Sequence, residues 1–208
     1  MGHRALVAYE RTDDTYNLHY THWGGLNLRL KHRITEATPY GGECPSQWAR
    51  KTHQSLTAGE DPETVAERYQ LDGNFPTDVE PIPQTMGVTF DEALTDHLDY
   101  LIHEAFYVVT QAFEVTAYRT LWFGLQYEAE SVDGHPTVGF GAIRTVRWYD
   151  GEPVGDGYAR GQFAGMKHIL GTMVDRGLID EEKAVRLLKR QFDAVTEPNR
   201  TFHVSDSA

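Results

Sequence analysis

The chain has 208 residues, 40% of them hydrophobic, enough for one substantial core or at most two small domains. No apolar run reaches the length of a bilayer span and no apolar signal-type stretch opens the chain, so a cytoplasmic protein is expected; the single Cys44 excludes an internal disulfide and a zinc site built on several thiolates. Asp and Glu number 31 against 19 Lys and Arg, and only 5 of those cations are lysine, a balance associated with salt-adapted cytoplasm, where net negative charge does not argue against a nucleic-acid partner.

A-L-V-A-Y-E-R at residues 5–11 is short, β-branched and aromatic, which predicts a strand. T-D-D-T at 12–15 is a turn and residues 16–23 give a second strand. The resulting hairpin is expected to set Val7 and Tyr9 beside Leu18 and Tyr20. After Gly24-Gly25 two periods coexist. Leu26, Leu28, Leu30 and Ile34 alternate with Asn27, Arg29, Lys31 and Arg33 as in a strand, while Leu26, Leu30 and Ile34 stand four apart as in a helix. A tight turn at the glycines would bury the opposite face from the first hairpin, which favours the helix and leaves the choice open. Arg29 and Arg33 share a side under either period.

Residues 45–57 predict a helix, and Asp61-Pro62-Glu63 opens another with an N-cap and a proline at its first position. Residues 71–88, with Pro76, Pro81 and Pro83, are expected to form a long loop, a linker or an inserted arm. T-F-D-E at 89–92 is a capping box for a helix to about 102, with Leu94, Leu98 and Leu101 as its apolar stripe. Alternation then predicts strands over 105–110, 113–127 and 138–148. Two closing helices carry the stripes Phe163, Met166, Leu170, Met173 and Val185, Leu188, Phe192, and the tail from about 198 is expected to fray. This order, without regular βαβ alternation, predicts a single α+β domain over 1–208. Its sheet should be mainly antiparallel, with an N-terminal hairpin, a central helical and loop insertion and two C-terminal helices.

Charge is uneven along the chain. Residues 22–53 carry five cations (Arg29, Lys31, Arg33, Arg50, Lys51) against two acids (Glu36, Glu43) in a chain of net charge −12, and His22, His32 and His53 fall in the same window. With Tyr20 and Trp23 close by, this window combines cations with stacking surfaces, which is what holds a phosphate backbone and unpaired bases. The candidate anion-binding residues are therefore Tyr20, Trp23, Arg29, Lys31, Arg33, Arg50 and Lys51. The expected partner is RNA, a ribosome or other ribonucleoprotein, or DNA, and the expected class is a non-enzymatic binding or regulatory protein.

Other constellations carry less. His19 and His22 resemble a ligand pair, yet strand residues three apart face opposite sides. Asp96, Asp99 and His103 share a helical face with Glu92 and read as solvated acidic surface. The glycines at 151, 155, 157 and 161 do not keep phosphate-loop spacing, and no nucleophile carries an activating signature. No metal and no cofactor is expected. Arg119 and Arg144 interrupt the apolar sets of alternating strands. Each snorkels at the sheet's end, or requires a carboxylate such as Glu10 or Glu114, or an anionic ligand. An enzymatic alternative takes His22 as acid or base on a phosphorylated or nucleotide substrate, with Arg119 or Arg144 on the phosphate. A scaffold or virus-related component is the third class.

M-G-H-R-A-L-V-A-Y-E-R followed by Y-N-L-H-Y-T-H-W-G-G resembles an uncharacterised family of haloarchaeal proteins. H-E-A-F-Y-V-V and A-Y-R-T-L-W-F-G-L-Q-Y extend the resemblance through much of the chain. More distantly, Tyr20-Thr21-His22-Trp23 is similar to the Y-x-H-W-D-G-Y segment of small tailed-phage proteins, with Gly24 where that segment has Asp. The resemblance implies a halophilic, intracellular protein and transfers no catalytic residue.

Overall fold

The computed structural model describes residues 2–71, 75–193 and 202–204. Among them, β1 (Ala5–Glu10) and β2 (Tyr16–Thr21) pair antiparallel, and β3 (Thr85–Val88) lies outside β2. On the other side of β1, β4 (Ala105–Val109) runs parallel to it. Then β5 (Val115–Trp122), β6 (Gly141–Thr145) and β9 (Phe202–Val204) follow antiparallel, giving a seven-stranded sheet in the order β3-β2-β1-β4-β5-β6-β9. A separate hairpin joins β7 (Arg147–Tyr149) to β8 (Glu152–Val154). The fold is α+β with a mainly antiparallel sheet.

Both faces of this sheet are covered. Ala5, Val7, Tyr9, Ala105, Tyr107 and Val109 pack under a layer made by α1 (Leu30–Arg33), α2 (Gln47–Thr57) and residue Val79 of the proline-rich loop. Leu6, Ala8, Leu18, Phe106 and Tyr118 pack under α5 (Asp156–Asp175), α6 (Glu181–Asp193) and the turn around Leu94. α3 (Pro62–Tyr69), capped by Asp61, rests on α2. Strands buried on both sides lose the apolar–polar alternation that would announce their register.

That is why the hairpin departs from expectation. Val7 pairs with His19 and Tyr9 with Asn17, while Leu18 and Tyr20 lie opposite Ala8 and Leu6. The connection over 11–15 closes through Arg11 N–H to Thr15 O (2.8 Å) with Asp14 at φ +60°, which fixes this register. After the glycines the chain is helical in short pieces. A 3-10 turn at Leu26–Leu28 precedes the single turn α1. Asn27 and Leu28 adopt left-handed φ of +51° and +53°, and this step breaks the phase of both periods. The buried set is consequently Leu28, Leu30 and Ile34, with Leu26 exposed.

The capping box at Thr89 is present and starts α4 (Phe90–Glu92), but the helix widens into a π-helical turn at Ala93–His97 and stops at Leu98 rather than near 102. Asp99 ends it: Oδ1 accepts from Leu101 N–H and Ile102 N–H, and Oδ2 accepts from Thr137 Oγ1–H. Leu94 and Leu98 are buried, whereas Leu101 is exposed. The strands expected over 113–127 and 138–148 shorten to β5 and β6, and the latter run breaks at Val146 into β7. The two closing helices bury Phe163, Leu170, Val185 and Leu188; the Phe192 side chain lies outside the described residues. Of the tail, residues 202–204 pair with β6 as an edge strand. Among the described residues no helix is long and apolar enough to cross a membrane.

Candidate nucleic-acid interface

The proline-rich loop is held against the basic window. Val79 N–H donates to Tyr40 O (3.0 Å), Glu80 N–H to Tyr20 O (2.9 Å) and Gln84 N–H to Leu18 O (2.8 Å), so the loop runs along β2 before β3 begins. This brings Asp78 to the two arginines that share a side. Its carboxylate accepts from Arg29 Nη2 (2.9 Å) and Arg33 Nε (2.8 Å). It also accepts from Gly42 N–H (3.1 Å), at a φ of +102° that favours glycine. Lys31 turns elsewhere: Nζ donates to Val115 O (2.6 Å) and lies 5.6 Å from the Trp148 ring, and burial lowers its pKa. Three of the five cations in the window therefore already have partners inside the protein. Asp78→Ala is expected to lower unfolding free energy by about 2 kcal/mol, since it strips charged hydrogen bonds from three donors. The same variant should speed proteolysis within 75–84, which mass spectrometry of the fragments would locate.

Tyr20 Oη hydrogen-bonds His22 Nδ1 (3.0 Å), and His22 meets the half-exposed Trp23 edge to face at 4.9 Å. These two residues line a groove of about 410 Å³ with Arg29, Phe75 and Asp78. His19 points the other way. It is buried, its Nδ1–H donates to Glu80 O (2.9 Å), and its ring packs on Tyr9 and Tyr40 at 4.9 and 5.5 Å. His53 completes this cluster 5.2 Å from Tyr9. Burial pushes His19 down to about 3 and His53 down to about 4, so both imidazoles are neutral at physiological pH.

His53 also forms part of the wall of a cleft of about 630 Å³. α2 supplies one side. Ser46 caps the helix, and Ala49, Thr52, His53, Ser55 and Leu56 are buried. Gln47, Arg50, Lys51 and Gln54, spaced i, i+3, i+4, i+7, form an exposed stripe along the cleft. Phe113, 4.9 Å from the His53 ring, and Gln111 form the facing side. Glu10 and Glu36 also line the cleft, and Glu10 is engaged by Gln111 N–H (3.0 Å). Among the described residues the Arg50 and Lys51 side chains make no ion pair, hydrogen bond or ring contact, whereas Arg29 and Arg33 are paired with Asp78 and Lys31 is bonded to Val115 O.

Arg119 and Arg144 lie apart from both clefts and are buried. They sit directly opposite each other on β5 and β6 and converge on Asp156, the first residue of α5. Arg119 Nε lies 2.8 Å from Asp156 Oδ2, and Arg144 Nη2 lies 4.0 Å from Oδ1. The carboxylate is thus Asp156, neither Glu10 nor Glu114. Arg119 Nη1 also donates to Gly25 O (2.7 Å), and Tyr107 Oη–H donates to Gly24 O (2.6 Å), so the sheet fixes the double-glycine turn. His22 lines the groove beside Arg29, and neither Arg119 nor Arg144 is among the residues lining it. Among the described residues, neither arginine lines any of these clefts with His22.

The model of a family of unknown function, DUF6735, matches residues 1–204. The chain belongs to that family. No curated protein and no solved structure matches it. Local charge finds Arg50 and Lys51 in the sequence. It misses Gln47, Gln54, Gln111 and Phe113, although Q-x-x-R-K-x-x-Q at 47–54 is a readable helical stripe.

Proposed function

We propose that the protein is a non-enzymatic binding protein that takes a short segment of single-stranded nucleic acid, RNA foremost, in the cleft beside α2. Arg50 and Lys51 hold phosphates, a base stacks on Phe113, and the amides of Gln47 and Gln54 meet base edges. The observation that carries this reading is that Arg50 and Lys51 are the cations of the window without a partner among the described residues, on a helical stripe facing an aromatic wall. Neutral His53 adds no charge at pH 7 and offers a ring surface behind Phe113. We place the protein in the cytoplasm of a salt-adapted cell, in keeping with its 31 acids and 5 lysines. At molar salt the screening length is about 3 Å, so stacking and direct hydrogen bonds must carry more of the affinity than long-range attraction.

Fluorescence anisotropy with a labelled oligouridylate at several salt concentrations tests this. Arg50→Glu with Lys51→Glu should weaken binding at least ~10-fold and reduce the salt slope by about 1.4, at about 0.7 per phosphate on a single strand. Phe113→Ala should cost about 1–3 kcal/mol, the worth of one stacked base. Arg29→Gln should leave affinity within about threefold, because that side chain is already turned to Asp78. Unchanged binding by the charge-reversed pair would remove the proposal.

A further inference from the structure

A further cleft, of about 560 Å³, opens on the opposite side of the sheet from the α2 cleft, between β5 and the first half of α5. The flank of α5 that borders it presents Gly157 and Gly161, where an added Cβ would meet nothing within 4 Å. Leu121, Trp122 and Phe163 form an apolar wall; Tyr100 and Thr120 also line the cleft, and the Thr120 hydroxyl is taken up by His103 O.

Its polar groups are few and unusual. Lys167 is 94% buried, its Nζ 3.2 Å from Glu128 Oε1 and 4.6 Å from the centre of the Trp122 ring. Burial lowers the lysine's pKa, while Glu128 acts in the opposite direction and favours the ammonium. The other carboxylate oxygen, Glu128 Oε2, is buried and has no hydrogen-bond donor among the described residues. Such an oxygen carries a desolvation cost that only a donor removes. Arg160 lines the same cleft, exposed and without an ion pair among the described residues. The pair is fixed rather than incidental. One turn beyond Lys167, a Cβ on Gly171 would lie 2.3 Å from Glu128 O, so α5 rests directly on the backbone of Glu128.

From this arrangement we infer that the cleft binds a small carboxylic acid that carries an apolar body and a hydrogen-bond donor next to the carboxylate, as an α-hydroxy or α-amino acid with an aromatic side chain does. Each ligand feature answers one feature of the site. The carboxylate is met by Lys167 and Arg160, whose charges exceed that of Glu128 by one. The hydroxyl or amino group donates to Glu128 Oε2. The apolar body lies against Leu121, Trp122 and Phe163, with room above the two glycines. A ligand lacking the donor would leave Oε2 as unsatisfied as it is in the free protein, so the site should discriminate on that group.

The test compares two probes on the unmodified protein: 3-phenyllactate, which has the donor, and 3-phenylpropanoate, which lacks only the hydroxyl. The readout is the Trp122 indole N–H resonance, assigned by its loss in Trp122→Phe. Saturable shifts with 3-phenyllactate, and at least ~10-fold weaker binding of 3-phenylpropanoate, are expected. In Glu128→Leu the two probes should bind alike. No saturable shift of the Trp122 resonance at about 10 mM 3-phenyllactate would overturn the inference. So would equal affinity of the two probes for the unmodified protein, a result that needs no variant to fold.

Discussion

Asp156→Ala is expected to lower the unfolding free energy by about 3–5 kcal/mol, the typical cost of removing one partner from a buried ion pair. Arg119 and Arg144 are directly opposite neighbours on adjacent antiparallel strands, a placement in which like charges destabilise a sheet. Asp156 is the carboxylate set between them, and both it and Arg119 are almost wholly shielded from water. Without it, Arg119 keeps the Gly25 and Glu104 carbonyls, which satisfy hydrogens but do not balance the charge. Replacing both members, as Arg119→Met with Asp156→Leu, should recover only part of the loss: an apolar pair avoids desolvating either of those charges and removes the Arg119–Arg144 repulsion, but buried Arg144 loses the Asp156 carboxylate. Urea unfolding of the wild type, both single variants and the double variant measures this directly. A loss below about 1 kcal/mol for Asp156→Ala would mean that the group contributes nothing beyond packing. The double variant should also loosen residues 24–25, since it removes the Arg119 bond to Gly25 O; faster amide exchange at Gly25 reports that separately.

The Arg119–Asp156 pair also marks how far the sequence can be read. Arg119 stands out locally because a charge interrupts an apolar alternation, and that signal needs no tertiary knowledge. Its partner lies on a helix 37 residues further along, so no local rule selects Asp156 over Glu10 or Glu114. Arg29 and Arg33 repeat the lesson. Their shared side follows from a spacing of four, but Asp78 reaches them only because the loop is hydrogen-bonded along β2. The class of fold was readable from element order, since strands and helices cluster without βαβ repetition. Hairpin register was not: with helices on one face and a helix-plus-loop layer on the other, Val7 and Leu6 are equally buried and alternation carries no preference. The helix at 90–102 failed for a different reason. Its capping box and leucine spacing are genuine, yet Asp99 offers its side chain to the backbone beyond and ends the helix there.

The two buried histidines give the largest expected response to pH. Both have folded-state pKa values below the ordinary 6.5, His19 at about 3 and His53 at about 4, because burial opposes the charged form. Between those values and 6.5 the unfolded chain binds protons that the native protein does not, so stability rises with pH. Their contribution is therefore complete above about pH 7 and is lost as the pH falls towards 4. Each histidine gives a limiting slope of about 1.4 kcal/mol per pH unit, and from pH 7 to pH 5 the two together should cost about 3–4 kcal/mol. His103, His135 and His203, also lowered by burial, act with the same sign. His53→Phe separates the contributions. A phenyl ring suits the neighbours Tyr9, Tyr40 and Phe113, and the variant should show a slope about 1.4 kcal/mol per pH unit shallower below pH 6. Urea titrations at half-unit intervals from pH 7.5 to 5 provide the measurement. Identical slopes in the two proteins would show that His53 is protonated in the native state over this range. Its ring would then be an additional cation beside Arg50 and Lys51, and nucleic-acid affinity would have to rise over the same interval as the pH falls.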